Sequence, residues 1–493
     1  MPFDILTAQE ASLELRQALE NKEVRTIVAS GLYGSSKSFV MASAFTEGVN
    51  VVVMDNKEEA QFATNDLYSI EGEENVFFFP CSSNISNSKI NTIKESSQKV
   101  QRSAAISSLN SFFNGEGKCK KVILIAYPAS IYEKIPNKSV LKKNILKVKK
   151  GDMVSHEFIK EVLVEYGFEK VDFVGEPGQF ALRGGIIDIF SFSSDKPCRI
   201  DFFGNEIESI REFDTNTQRS VKELGEVKIF PNLYKEEEGG LEYVDVFEFV
   251  GKKNCTVWVN DFTVLQGDIY KDVLANLTEN KTVTFNAMPK AADCTVEFRV
   301  SPQPSFNKNF NLLLGDINQK ISQGYTIYIS SENERQFERL RNIFAHNNGD
   351  DSTKVPKFTE INCSIHTGFV DTVSKICLYT DHQIFDRYHR VKIKREVPRS
   401  ERLTLNELSA FQIGDYVVHI DHGVGIFGGL VKTSLNGKVQ EAIKLIYKDN
   451  DVIFVSIHGI HRISRYKSKE SAPPKIYKLG TGAWEKLKTQ TKN

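Results

Sequence analysis

Cysteine is sparse and scattered in this chain: seven residues in 493, at positions 81, 119, 198, 255, 294, 363 and 377, none in a C-x-x-C pair. An odd, dispersed set excludes a disulfide scaffold and a thiolate metal or redox motif, and reads as reduced thiols. No basic-then-apolar leader follows Met1, and no uncharged run approaches the ~18 residues that a helical span needs. A cytoplasmic protein without membrane contact is therefore expected. Excess charge is missing too: 63 Lys and Arg stand against 64 Asp and Glu, a formal net charge of -1. That excludes a protein coating nucleic acid over its whole surface but leaves room for local basic patches. There is no internal repeat, no low-complexity tract and no G-x-S-x-G. His156-Glu157 lacks the second histidine of a helical metalloprotease site, so no nucleophile or metal constellation is expected.

A hydrophobic share of 40% and a charged share of 26% are those of an ordinary globular protein. At this length three to five domains are expected, because single cores stop growing near ~250–300 residues. The fold class expected is α/β, multi-domain. Residues 1–126 alternate helix (8–19, then from Ser38) with apolar strand (26–29, 51–54, 75–79, 121–126), which implies a parallel sheet. Residues 127–214 change to an α+β insert: a strand over 145–149, a helix over 156–166, then antiparallel strands over 179–183, 185–190, 199–203 and 206–213. Residues 215–299 return to mixed elements that complete the first sheet. Residues 300–385 are a second small α/β domain, with helices over 309–323 and 333–345 and strands over 325–330, 360–365 and 375–379. A basic linker (386–408, with Arg387, Arg390, Lys392, Lys394, Arg395, Arg399 and Arg402) leads to 409–470. There, short β-prone runs over 416–420, 424–431, 442–447 and 452–455 are separated by the turn signals Asp421-His422-Gly423, Asn436-Gly437 and Asp449-Asn450. Even spacing of this kind reads as a small barrel that makes contacts and performs no chemistry. Residues 471–493 are a proline break and one linker helix.

Between the first strand and its helix lies Gly31-Leu-Tyr-Gly34-Ser-Ser-Lys37-Ser38, close to the phosphate-binding pattern G-x4-G-K-[ST]. Ser36 replaces the glycine before the lysine, and no acidic strand motif follows to hold magnesium. The loop is thus expected to be a degenerate relic, with Gly31, Gly34, Lys37 and Ser38 at most facing an anion. A residual ATPase using Lys37 and Ser38 is the rival reading. His419-x2-His422 and His458-x2-His461 tempt a zinc assignment. Residues three apart in a strand point to opposite faces, however, and no cysteine is near, so neither a metal nor any other cofactor is expected.

Two further strings carry a resemblance. Gly178–Phe190 with Arg199–Asp214, including RGGIIDIF and FFGNEIESI, resembles the insert domain of UvrB, the excision-repair helicase subunit. GDYVVHIDHGVGIF with the run ending HRISRY resembles the RNA-polymerase-interacting module of CarD-like regulators and, more closely, of bacterial transcription-repair coupling factors. Gly368–Thr372 and Thr380–Phe385 are similar to the end of that family's third domain. UvrB itself is disfavoured, because its tyrosine-rich hairpin corresponds here to Phe77-Phe-Phe-Pro-Cys-Ser-Ser-Asn84. The resemblance implies docking of UvrA on the insert through Arg183, Phe203, Glu206 and Arg211. It also implies contact with the polymerase β subunit through an exposed barrel strand over 429–435 (Leu430, Val431, Lys432, Thr433), with Phe454 near. It further implies a monomer that ends before an ATP- and magnesium-dependent DNA translocase, so that DNA contact belongs mainly to that motor. A UvrB-type repair enzyme remains the alternative.

Overall fold

Valine, isoleucine and leucine fill Gly48–Val53, Lys121–Ala126 and Cys255–Val259, and runs apolar on both faces belong in a parallel sheet covered on both sides. The computed structural model describes residues 9–82, 92–115, 120–194, 196–215, 218–232, 242–286, 291–347, 356–389, 412–419, 421–435, 438–456, 463–466 and 476. In it those three runs centre a seven-stranded parallel sheet. Its order is Cys294–Glu297, Thr26–Ser30, Lys281–Thr284, Cys255–Val259, Gly48–Val53, Lys121–Ala126, Val76–Phe78. Helices Glu10–Glu20, Ser36–Ala44 and Lys57–Glu71 bury Leu15, Phe39 and Leu67 in one core cluster. Helices Thr92–Phe113, Val246–Val250 and Lys271–Thr278 bury Leu109, Phe247 and Leu277 in a second. Lys57–Glu71 starts cleanly because the Asn56 side chain accepts from the Glu59 N–H at 3.0 Å, with Glu58 and Glu59 in its first turn.

The chain leaves this sheet after Ala126 and rejoins it at Cys255. Between them, Gln179–Arg183, Ile186–Phe190, Cys198–Phe203, Glu206–Phe213 and Ser220–Leu224 form an antiparallel meander, and Glu169–Lys170 pairs in parallel with the first of these. Helix His156–Glu165, capped by Ser155, covers one face, where Ile159, Leu163, Ile187, Ile189 and Ile200 are buried together. The insert runs past the expected end at 214. Ser220–Leu224 extends the meander, and Glu226–Ile229 pairs with Leu146–Lys149. These two strands are short and charged, so their apolar alternation is weak and sequence reading passed over them.

The 300–385 stretch is a five-stranded mixed sheet, ordered Val300–Pro302, Phe369–Asp371, Ile376–Thr380, Thr326–Ser330, Thr359–Ile361, with helices Phe310–Ser322 and Glu334–Asn347. It packs directly on the parallel-sheet region. Phe369 meets Phe39 edge-on at 5.6 Å between ring centroids, and Ile361, Ile365 and Leu378 join the same core cluster.

Residues 1–215 with 219–397 form one unit, and 398–493 with 216–218 a second. In the second unit a single antiparallel sheet has the order Val452–Ser456, Lys438–Ile446, Gly423–Leu435, Tyr416–His419, Ile463–Arg465. Val417, Phe427, Ile443, Leu445, Tyr447, Val455 and Ile463 are its core. Its outermost strands, Val452–Ser456 and Ile463–Arg465, are not paired with each other among the described residues. The register slips by one residue between Phe427 and Leu430, where Gly429 has φ +92, a left-handed value that an L side chain resists. Asn436-Gly437, most of the basic linker, His458, His461 and the expected C-terminal helix lie outside the described residues.

Candidate docking surfaces and the glycine-rich loop

The four residues expected to meet UvrA all lie on the insert's meander, but they do two different things. Asp188, fully buried, accepts from Arg199 at 2.7 and 2.9 Å and also pairs with Arg183. Arg183 is about a third exposed and stacks over Phe173 at 5.0 Å. Arg211 likewise pairs with Asp201, which also accepts from the Ser209 hydroxyl. Both guanidinium groups are thus engaged by carboxylates of their own sheet, because antiparallel register sets Ala181 opposite Asp188 and Ser209 opposite Asp201, each two residues from the arginine on its strand. Phe203 and Glu206 are placed otherwise. They face each other across the Gly204 turn that ends a hairpin, and Phe203 is 78% exposed. A phenylalanine that open gives up apolar area to water for no gain within its own fold.

In the second unit, Gly423–Ile426 is bonded to Tyr416–His419 on one side, and Phe427 still bonds Asp415 and Gly414. Beyond the bulge, Leu430–Leu435 has a strand partner on one side alone among the described residues, the 438–443 run. Leu430, 51% exposed, is in register with buried Ile443 and Val455 and shares their face. Val431 pairs with Ala442, two residues from the Lys444–Phe454 pair, so half-buried Val431 and exposed Phe454 share the opposite face. Lys432 and Thr433 follow on the edge, in register with Glu441 and Gln440. His419 and His422 stack at 4.7 Å rather than converging on a common point.

The glycine-rich loop joins Thr26–Ser30 to helix Ser36–Ala44. Gly31 (φ +75) and Gly34 (φ +52) are required. A Cβ on the first would strike the Phe298 carbonyl oxygen at 1.9 Å, and one on the second would strike Thr367 at 2.8 Å. The loop's polar groups turn inward. The Tyr33 N–H donates to the Ser36 hydroxyl at 2.9 Å, which itself donates to the Tyr33 carbonyl at 2.7 Å. The Ser36 and Lys37 N–H groups bond Tyr33 and Gly34 carbonyls, and the Thr367 N–H donates to Ser35 Oγ at 2.8 Å. Lys37 donates to Asn260 at 2.8 Å, which in turn donates to Asp55. Burial lowers the Lys37 pKa, while Asp55, Glu59 and Asp261 oppose that shift. Ser38 lies 3.4 Å from buried Asp66, whose carboxyl burial pushes up to about 7 against hydrogen bonds from Ser35, the His366 N–H and Ser38. Asp66 sits mid-helix with no motif around it, so nothing in the sequence marks it as the floor of this loop.

Residues 146–234 match the UvrB interaction domain, and residues 411–467 match the CarD-like/TRCF RID domain. These spans coincide with the meander and with the five-stranded sheet of the second unit. A transcription-repair-coupling factor of Bacillus subtilis (strain 168) is 25% identical over 93% of this chain and 46% of its own length. One from Staphylococcus aureus (strain bovine RF122) is 22% identical over 95% and 47%, and one from Borreliella burgdorferi 24% over 75% and 38%. Over most of its length the chain is thus similar to transcription-repair-coupling factors. It spans just under half the length of the relatives from Bacillus and Staphylococcus. No helix among the described residues is long and apolar enough to cross a membrane.

Proposed function

We propose that this chain is an adaptor in transcription-coupled nucleotide excision repair, which grips RNA polymerase through residues 412–466 and recruits UvrA through the 146–229 module. The observation that carries this is the co-occurrence, in one chain and in this order, of a UvrB interaction domain and a CarD-like/TRCF RID domain. On the first surface the contacts are led by Phe203 and Glu206, which are exposed at a hairpin tip, with Arg183 and Arg211 behind them. On the second, the free backbone side of Leu430–Leu435 accepts a strand of the polymerase β subunit, with Phe454 packing beside it. Support for the adaptor role over a residual ATPase comes from the glycine-rich loop: its amides bond its own carbonyls, Thr367 fills the space over Gly34, and a carboxylate stands beneath Ser38. In this reading the chain acts as a monomer and holds no nucleotide, and ATP-driven work belongs to other parts of the family's architecture.

The test is titration of UvrA and of a polymerase β-subunit fragment into the full chain. Phe203→Ala combined with Glu206→Lys should weaken UvrA binding by at least tenfold and leave polymerase binding and the circular dichroism spectrum unchanged. UvrA affinity within threefold of the parent would mean that the hairpin tip is not the contact.

A further inference from the structure

Three histidines meet where the small α/β region rests on helix Lys57–Glu71. His366 comes from the loop after Thr359–Ile361, His382 from the short helix Asp381–Ile384, and His389 from the segment that follows it. Ring centroids are 4.5 Å apart for His382 and His389, 5.1 Å for His366 and His389, and 6.4 Å for His366 and His382. One nitrogen of each ring lies within 4.8 Å of one nitrogen of each of the others. His366 stacks flat on Phe62 at 3.5 Å and 6°, and its backbone N–H donates to Asp66 at 2.7 Å. His382 Nε2 is 2.7 Å from the His366 carbonyl oxygen, which requires a proton on Nε2, so that the lone pair of its neutral ring is on Nδ1. His389 is only 6% exposed.

Packing alone leaves this arrangement unexplained. His366 Nδ1 and His389 Nε2 are both buried and have no hydrogen-bond partner among the described residues. Each orphaned polar atom costs roughly 1–3 kcal/mol, and two of the three rings carry one. A cation bound by the lone pairs removes both costs. A tetrahedral zinc with Zn–N bonds of about 2.0–2.1 Å sets ligand nitrogens about 3.4 Å apart, a modest inward closure from the spacing seen. A ligand histidine whose other nitrogen donates to a backbone carbonyl is the usual outer-shell arrangement, and His382 has it. Asp381, held by Ser331 at 2.8 Å and Arg387 at 2.9 Å, lies with Oδ1 3.8 Å from His382 Nδ1, next to the cluster. We propose that His366, His382 and His389 form a structural site for a divalent transition metal of the zinc class, which ties the loop at 366, the short helix at 382 and the segment at 389 to one another beside helix Lys57–Glu71. Burial also lowers the pKa of His366 to about 4 and of His389 to about 3, which keeps both imidazoles in the neutral form that ligates.

The experiment uses the full chain, stripped with EDTA and dialysed. Zinc chloride titrated by calorimetry should bind at one equivalent with micromolar or tighter affinity and raise the melting temperature. Cobalt(II) should give the intense visible bands of tetrahedral coordination. His389→Gln should weaken zinc at least tenfold and abolish those bands, whereas His419→Ala with His422→Ala should change neither. If His389→Gln fails to fold, the cobalt spectrum of the parent chain still decides. Absence of a zinc-dependent shift and of cobalt bands in the parent, or binding unaltered by His389→Gln, would overturn the site. A parent that ignores zinc while His366→Phe with His389→Leu raises stability would mark the cluster as packing only.

Discussion

Asp188 shows how much the meaning of one residue depends on its neighbours. Strand alternation puts Ile187 and Ile189 on one face and Asp188 on the other. In the fold both faces are covered, and Asp188 is fully buried between two guanidinium groups. Removing one partner of a buried charge set leaves the rest uncompensated, so Asp188→Ala should cost ~3–5 kcal/mol. Arg183→Ala should cost only about 1 kcal/mol, because Arg199 keeps its two contacts to Asp188 and Arg183 is partly solvated. Urea unfolding of the two variants checks this ordering; equal losses would mean that Arg183 carries the pair. Charge reversal at Arg183 would disturb the fold as well as any interface, which is why Phe203 and Glu206 are the cleaner probes of UvrA contact.

At the scale of elements, strands and helices with strong periodicity were legible: Lys121–Ala126, Gln179–Arg183 and Glu206–Phe213 stand where alternation or apolar runs put them. Val300–Pro302, Phe369–Asp371 and Ser220–Leu224 were not, since three to five residues with few apolar positions carry too little pattern. Which of two flanking strands ends early was equally hidden, because pairing length depends on a bulge that only the Gly428-Gly429 pair hints at. Among the described residues that early ending leaves Leu430–Leu435 with a strand partner on one side alone, and it sets a sharp test. Lys432→Pro removes a backbone donor and should abolish β-subunit binding, whereas Lys432→Ala should weaken it by no more than about threefold. If the proline instead lowers the melting temperature of residues 405–470 by more than ~5 °C, the lost donor served the sheet and not a partner. The histidine cluster was illegible for a different reason. His382 and His389 are close in sequence, but His366 joins them only through the order of strands in the mixed sheet.

On the scale of the whole molecule, the proposed division of labour predicts silence where the near-match to a phosphate loop invites activity. ATP with magnesium, with and without DNA, should give turnover no greater than that of Lys37→Ala, measured by steady-state phosphate release. Turnover lost in Lys37→Ala would restore the enzyme reading and require the loop to open its internal hydrogen bonds. How much of this was readable follows a simple rule. Ser36 was visible as the residue that departs from the motif, but its hydroxyl closing the turn on Tyr33, and Thr367 arriving from a distant strand connection, belong to tertiary packing.

The long excursion between Ala126 and Cys255 also governs the order of events on the ribosome. Gly48–Val53, Lys121–Ala126 and Val76–Phe78 can pair as soon as they emerge, but Thr26–Ser30 waits for Lys281–Thr284 and Cys294–Glu297, its two neighbours. At about 5–20 residues per second, that wait is on the order of tens of seconds, with an apolar strand lacking both partners throughout. Over the same interval the insert, whose pairings are nearly all between successive strands, can fold as a local hairpin stack. Nascent chains halted after residue 254 should therefore bind trigger-type chaperones through their first 60 residues while residues 146–229 already resist protease. Release of the chaperone should coincide with the emergence of residue 297, as ribosome-bound crosslinking would register; release much earlier would mean that Thr26–Ser30 finds a temporary partner.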